Sequence, residues 1–214
     1  MKFSIEELRP IRNGMTISRD SRLGNSTKVT YFSMGKDTSI SQESYDRMTM
    51  YIAASGWGEF IIGEEPEIIK LQPDELLIVP AGTLCGMQTS NGIVYTEIIC
   101  TGKDINMNAN VKTNEVFALK NLISYEEGSI ANMDVVSTPD MKYVLMAFDE
   151  GTGLTPHRAP GNAIVFALEG KAVIGYEGKD YELSEGECFR FEKNGLHSVT
   201  ANGKFKMALL LVLE

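Results

Sequence analysis

The chain reads twice. At a spacing of 114 residues Phe3 pairs with Phe117, Leu8 with Leu122, Gly14 with Gly128, Met34 with Phe148 and Gly56 with Gly170. Between Gly56 and Leu71 there are two more residues than between Gly170 and Leu183, so the spacing becomes 112 and sets Cys85 opposite His197. Solenoid units repeat every ~20–50 residues, so this period describes a duplicated domain. The fold has to be one that half the chain can form and the other half can form again. The polar stretch Thr101 to Lys112, with Asn106, Asn108 and Asn110, reads as the linker. The halves are placed at residues 1–105 and 106–214.

Each half has the same layout. A short helix opens it, with Ser4 and Glu7 spaced as a capping box and Pro10 as the stop; Leu119 to Leu122 is the second copy. Short strands follow, parted by Gly, Asn and Asp turns, which is the pattern of a sandwich or barrel. The first half offers Val29–Met34, Met48–Ala54, Leu76–Val79 and Val94–Ile99. The second offers Tyr143–Phe148, Ala163–Leu168, Ala172–Tyr176, Cys188–Phe191 and Phe205–Leu213, with a hairpin turn at Glu177-Gly178. The chain is expected to be all-β.

Charge and cysteine usage narrow the partners. The net charge is −9 and no cluster of Lys and Arg appears, which argues against nucleic acid and acidic membranes. Cys85, Cys100 and Cys188 are odd in number and have no CxxC spacing, as in a reducing compartment. Met1 to Leu8 lacks an apolar signal core, and Leu209–Leu213 is too short to span a bilayer, so the expected location is cytoplasmic. No P-loop, dinucleotide fingerprint, nucleophile elbow or helix-turn-helix segment is present.

The only two histidines are His157 and His197, and they sit where two strands of a barrel would face each other. Imidazole is the commonest transition-metal ligand. The surrounding residues resemble the cupin superfamily. Gly153 to Gly170, ending in Leu168-Glu-Gly170, is similar to the first cupin motif, and Gly186 to His197 to the second. The first half matches more faintly, through Ser55-Gly56 and Gln72 to Cys85. The resemblance implies tandem jelly-roll (double-stranded β-helix) barrels, a bicupin with a degenerate N-terminal barrel. Such relatives often self-associate, which implies a homodimer or an intramolecular pseudo-dimer of barrels.

In the cupin pattern two histidines, a glutamate and a later histidine bind a divalent metal. Here His157 matches the first ligand and His197 the last, but Ala159 and Ala163 hold the other two places and cannot coordinate. Glu43, Tyr45, Thr49 and Cys85 take the four places in the first half. Pro80 precedes Cys85 as in the pattern, whereas Glu192 replaces the proline in the second copy.

The resemblance leaves three readings open. One is a small-molecule-binding protein with its pocket in the C-terminal barrel, lined by His157, His197, Ala159 and Ala163. Another is a metal-assisted isomerase, lyase or dioxygenase in which His157 and His197 hold Zn, Fe, Mn or Ni with water or substrate oxygens. The third is a metal-free enzyme with one histidine as general base. The first barrel is then a structural partner, with Cys85 a small buried hydrophobe. Arg158 and Arg190 read as solvated surface residues or anion hooks and Trp57 as a strand residue packed in the core; a carboxylate recruited from an unexpected strand, such as Glu150 or Glu169, is left open.

Overall fold

The computed structural model describes residues 1–24, 27–101 and 104–213. In chain order the first half forms β1 (Lys2–Phe3), α1 (Ile5–Leu8), β2 (Thr16–Asp20), β3 (Lys28–Met34), β4 (Thr38–Ser44) and β5 (Thr49–Gly56). It continues with β6 (Gly58–Ile62), β7 (Glu67–Leu71), β8 (Glu75–Val79), β9 (Leu84–Thr89) and β10 (Ile93–Ile99). Next come β11 (Asn106–Met107), β12 (Val116–Ala118) and a 3₁₀ turn at Leu119–Asn121. The second half follows as β13 (Ile130–Ser137), β14 (Met141–Phe148), β15 (Gly153–Arg158), β16 (Asn162–Tyr176), β17 (Lys179–Ser184), β18 (Cys188–Phe191) and β19 (Leu196–Val212).

The strands obey the repeat. Shifted by 114, β2 to β4 fall on β13 to β15, and β5 with β6 fall on β16; shifted by 112, β7 and β8 fall on β17 and β18, and β9 with β10 on β19. Ala163–Leu168 and Ala172–Tyr176 are therefore one strand. It stays continuous through register shifts between Ala167 and Glu169 and between Gly170 and Ala172. Gly170 makes the bend, at φ +77°, where a Cβ would come within 2.0 Å of the Lys204 carbonyl oxygen. Gly56, its counterpart, has φ +69° and would put a Cβ 2.1 Å from the Gly92 carbonyl oxygen. Both sites need glycine for conformation and for space. The last strand likewise begins earlier than expected, at Leu196.

Two compact units result. The N-terminal unit gathers Ile5–Thr101 and Ala109–Ala118, while Met1–Ser4 and the chain from Leu119 onward belong to the C-terminal unit. A cut between residues 105 and 106 does not follow this division, because β1 pairs with β18 and β12 with β8. The stretch read as a linker contributes β11, which pairs with β13; its Gly102 and Lys103 lie outside the described residues.

In the N-terminal unit a six-stranded sheet, β12-β8-β5-β10-β3-β2, packs on a four-stranded one, β4-β9-β6-β7. Side chains two apart on a strand share a face. Tyr51 and Ala53 from β5, and Ile93 and Tyr95 from β10, enter one core with Phe60 and Met87 of the other sheet. The same alternation turns Glu97, two residues beyond Tyr95, to the inner face. Trp57 falls between β5 and β6, not in a strand, and is half-buried under Lys70, whose Nζ lies 4.1 Å from the ring centre.

In the C-terminal unit β16 and β19 bind the whole sheet together, paired along most of their length. Its core is rich in rings: Phe189 contacts Phe191 at 4.9 Å and Tyr181 at 5.2 Å between centroids. Glu177 and Gly178 form the β16–β17 turn with φ +49° and +78°, the backbone of a type I′ hairpin.

Candidate functional site

The structure brings the two histidines together. His157 and His197 are direct partners across β15 and β19, just past a register shift between Leu154 and His157. Their ring centroids are 4.3 Å apart. His157 is exposed, whereas His197 is buried and stacks on Phe191 at 4.2 Å. Each Nδ1 donates to a backbone carbonyl, His157 to Thr155 at 2.8 Å and His197 to Gly195 at 2.9 Å. A carbonyl can only accept, so the neutral rings keep the lone pair on Nε2. Burial, more than the neighbouring His157, lowers the pKa of His197.

The other expected members of this site offer little. Ala163 is packed in the core as the Cα partner of Phe191. Ala159 is half-buried in the turn after β15 and uses its carbonyl to accept from the Asn194 amide. Arg158 donates to the Asn194 carbonyl and lies 3.8 Å from Glu177, and Arg190 donates to Glu192 at 2.8 Å, so neither is a free anion hook. Glu169 accepts a 2.8 Å hydrogen bond from Tyr125, and Glu150 is exposed in the turn after β14. Two imidazoles are half the ligand set of a structural zinc site. No group of three or more His, Cys, Asp or Glu is placed to hold a metal among the described residues. The described side chains at this place do not by themselves complete a metal site.

The equivalent place in the N-terminal unit looks different. Glu43 and Cys85 are direct partners across β4 and β9, past a register shift between Ile40 and Glu43, as the duplication requires. Here the space between the strands is open. A cavity of about 210 Å³ is walled by Phe32, Ile40, Phe60 and Met87 on its apolar side. Glu43, Tyr45, Tyr51, Cys85, Tyr95 and Glu97 supply the polar atoms. The rings form one cluster, with Phe32 stacked on Tyr95 at 5.0 Å and Tyr51 tilted on Phe60 at 4.8 Å. Cys85, expected to be a small buried residue, is half-buried on the cavity wall. Thr49, the fourth position, is buried, with its hydroxyl 3.3 Å from the Arg47 carbonyl.

Burial dominates the electrostatics here. Glu97 is 5 % exposed. Desolvation raises its pKa from 4.5 to about 7, with Lys28 opposing and Glu43 adding to the rise. The Cys85 thiol is pushed up to about 11, mainly by burial, and Tyr45 to about 12 for the same reason. At neutral pH the cavity thus holds protonated phenols, a thiol and a carboxyl poised between its two forms. Glu97 went unread in the sequence; the signal that could have found it is its place two residues beyond Tyr95 on one strand, hence on the same face.

Residues 144–213 match the family described as Cupin domain. No curated protein matches the chain. Among solved structures, a cupin 2 conserved barrel domain protein from Leptotrichia buccalis is 25 % identical. The alignment covers 99 % of this chain and 96 % of that one, with a TM-score of 0.87. A salicylate 1,2-dioxygenase from Pseudoaminobacter salicylatoxidans, solved as adducts with gentisate, is 11 % identical over 96 % of this chain and 76 % of that one, at a TM-score of 0.67. A mutant of that enzyme in complex with gentisate is 12 % identical over 96 % and 77 %, also at 0.67. The domain match covers residues 144–213, and the all-β chain shares the cupin jelly-roll fold of these neighbours.

Proposed function

We propose that the protein is a cupin-type small-molecule-binding protein whose ligand seats in the N-terminal cavity. One observation carries this reading. Glu97 is a buried carboxyl, 5 % exposed, on the wall of a space of about 210 Å³ that Glu43 and aromatic rings also line. A ligand donor seated there would meet a largely desolvated carboxyl, where a hydrogen bond is stronger than in water. A thermal-shift screen of small metabolites against the full chain tests the proposal, run beside Ser41→Trp at the exposed rim and Glu97→Gln. Binding at 100 times Kd stabilises by ~2.7 kcal/mol, which such a screen detects. Compounds that protect the wild type but neither variant support the cavity. Compounds that protect all three equally remove it from the reading.

The histidine pair supports a second reading, a site in the C-terminal unit. Both Nε2 atoms are left as lone-pair donors by the two backbone hydrogen bonds. A metal there would need oxygens from water or substrate to complete its shell. Metal analysis of untagged protein by plasma mass spectrometry, with His157→Ala and His197→Ala, decides it. About one metal per chain, lost in both variants, supports the site. No metal after supplementation retires it.

A further inference from the structure

We infer that the ligand class of the N-terminal cavity is a small organic cation, an alkyl- or quaternary ammonium group. The inference rests on the cavity reading above and adds the chemistry of the occupant. Two carboxyl side chains, Glu43 from β4 and Glu97 from β10, line the space. No Lys, Arg or His lines it among the described residues. An anionic ligand would enter with no counter-charge and against both carboxylates. A cation would meet both, and the aromatic wall of Phe32, Tyr51, Phe60 and Tyr95 adds ring surfaces that attract positive charge.

The charge balance also lacks an internal solution. Lys28, at the exposed start of β3, acts on Glu97 electrostatically, yet it makes no ion pair with that carboxyl. The remaining groups that face Glu97 are Glu43, Tyr45, Tyr51, Cys85 and Tyr95, none of them cationic. Once ionised, the carboxylate has no cationic side chain on the cavity wall among the described residues, and a bound cation would supply that charge. The volume, about 210 Å³, suits a compact headgroup.

The test is calorimetric titration of the full chain at pH 8 and constant ionic strength. The probes are choline and tetramethylammonium, with 3,3-dimethylbutan-1-ol as the uncharged analogue of choline and benzoate as an anion. Choline should bind saturably, at least about tenfold more tightly than the neutral alcohol, and benzoate should not bind. Glu97→Gln and Glu43→Gln should each weaken choline by about tenfold, and Ser41→Trp should abolish it. The cation selects the ionised carboxylate, so affinity should rise from pH 6 to pH 8. Equal binding of the neutral alcohol, tighter binding of benzoate, or no binding of either cation overturns the ligand class. In those cases, metabolite hits still blocked by Ser41→Trp leave the cavity reading standing. Hits indifferent to Ser41→Trp overturn both.

Discussion

Replacing Glu97 with glutamine should stabilise the N-terminal unit at alkaline pH and do much less at acid pH. The carboxyl has a folded pKa of about 7 against an ordinary 4.5. A raised folded pKa means that the folded state holds its proton more tightly than the unfolded one. The stability tied to this group is fully present below 4.5 and is lost as pH rises through 7. At ~1.4 kcal/mol for each tenfold in proton affinity, the full loss is about 3 kcal/mol. Glutamine has nearly the same shape and does not titrate. The gap between variant and wild type should therefore widen by roughly that amount from acid pH to pH 8. The single tryptophan, Trp57, lies in the same unit, so its fluorescence in urea reports the relevant transition. With an m-value of ~2 kcal/mol/M, the midpoint should move by about 1.5 M at pH 8. A gap that stays constant from pH 5 to pH 8, or a variant less stable at pH 8, would refute the argument.

Four further outcomes can be checked. Gly170→Ala should lower the melting temperature much more than Gly178→Ala. Both have positive φ, but only the first puts a Cβ 2.0 Å from a carbonyl oxygen; strain of ~1–2 kcal/mol is the part they share. The His197 imidazole should titrate below 6.5 by NMR. Its depressed pKa gives stability above 6.5 that is lost as pH falls, so His197→Gln should flatten the acid limb of a melting curve. Alkylation of Cys85 at pH 7.5 should be about a hundredfold slower than for a thiol at 9.0, because burial holds this one near 11; comparable rates would contradict its position.

The duplication was legible because glycines and apolar residues recur at one spacing, and Gly56 with Gly170 recur for a steric reason the structure makes plain. The pairing of His157 with His197, and of Glu43 with Cys85, was legible for the same reason. β2, β4, β6, β7, β9, β13, β15 and β17, with the short β1, β11 and β12, were not expected from the sequence. β2, β4, β15 and β17 are mostly exposed and polar, so hydrophobic alternation barely marks them. The open cavity was not legible either. Histidine draws attention as a ligand, but whether space remains beside it depends on packing. Phe191 lies against His197, whereas Tyr51, Tyr95 and Glu97 stand around a gap beside Cys85.

The placement of β1 and β12 bears on how the chain matures during synthesis. Synthesis proceeds at ~5–20 residues per second. The N-terminal unit cannot complete its larger sheet until Val116–Ala118 has emerged, since β8 is otherwise an open edge. Lys2 and Phe3 must wait longer still, for Phe189 and Cys188 near the end of the chain. An uncovered edge strand invites pairing with another nascent chain. A fragment ending at residue 105 would keep that hazard permanently, lacking β12 while carrying a β1 with no β18 to receive it.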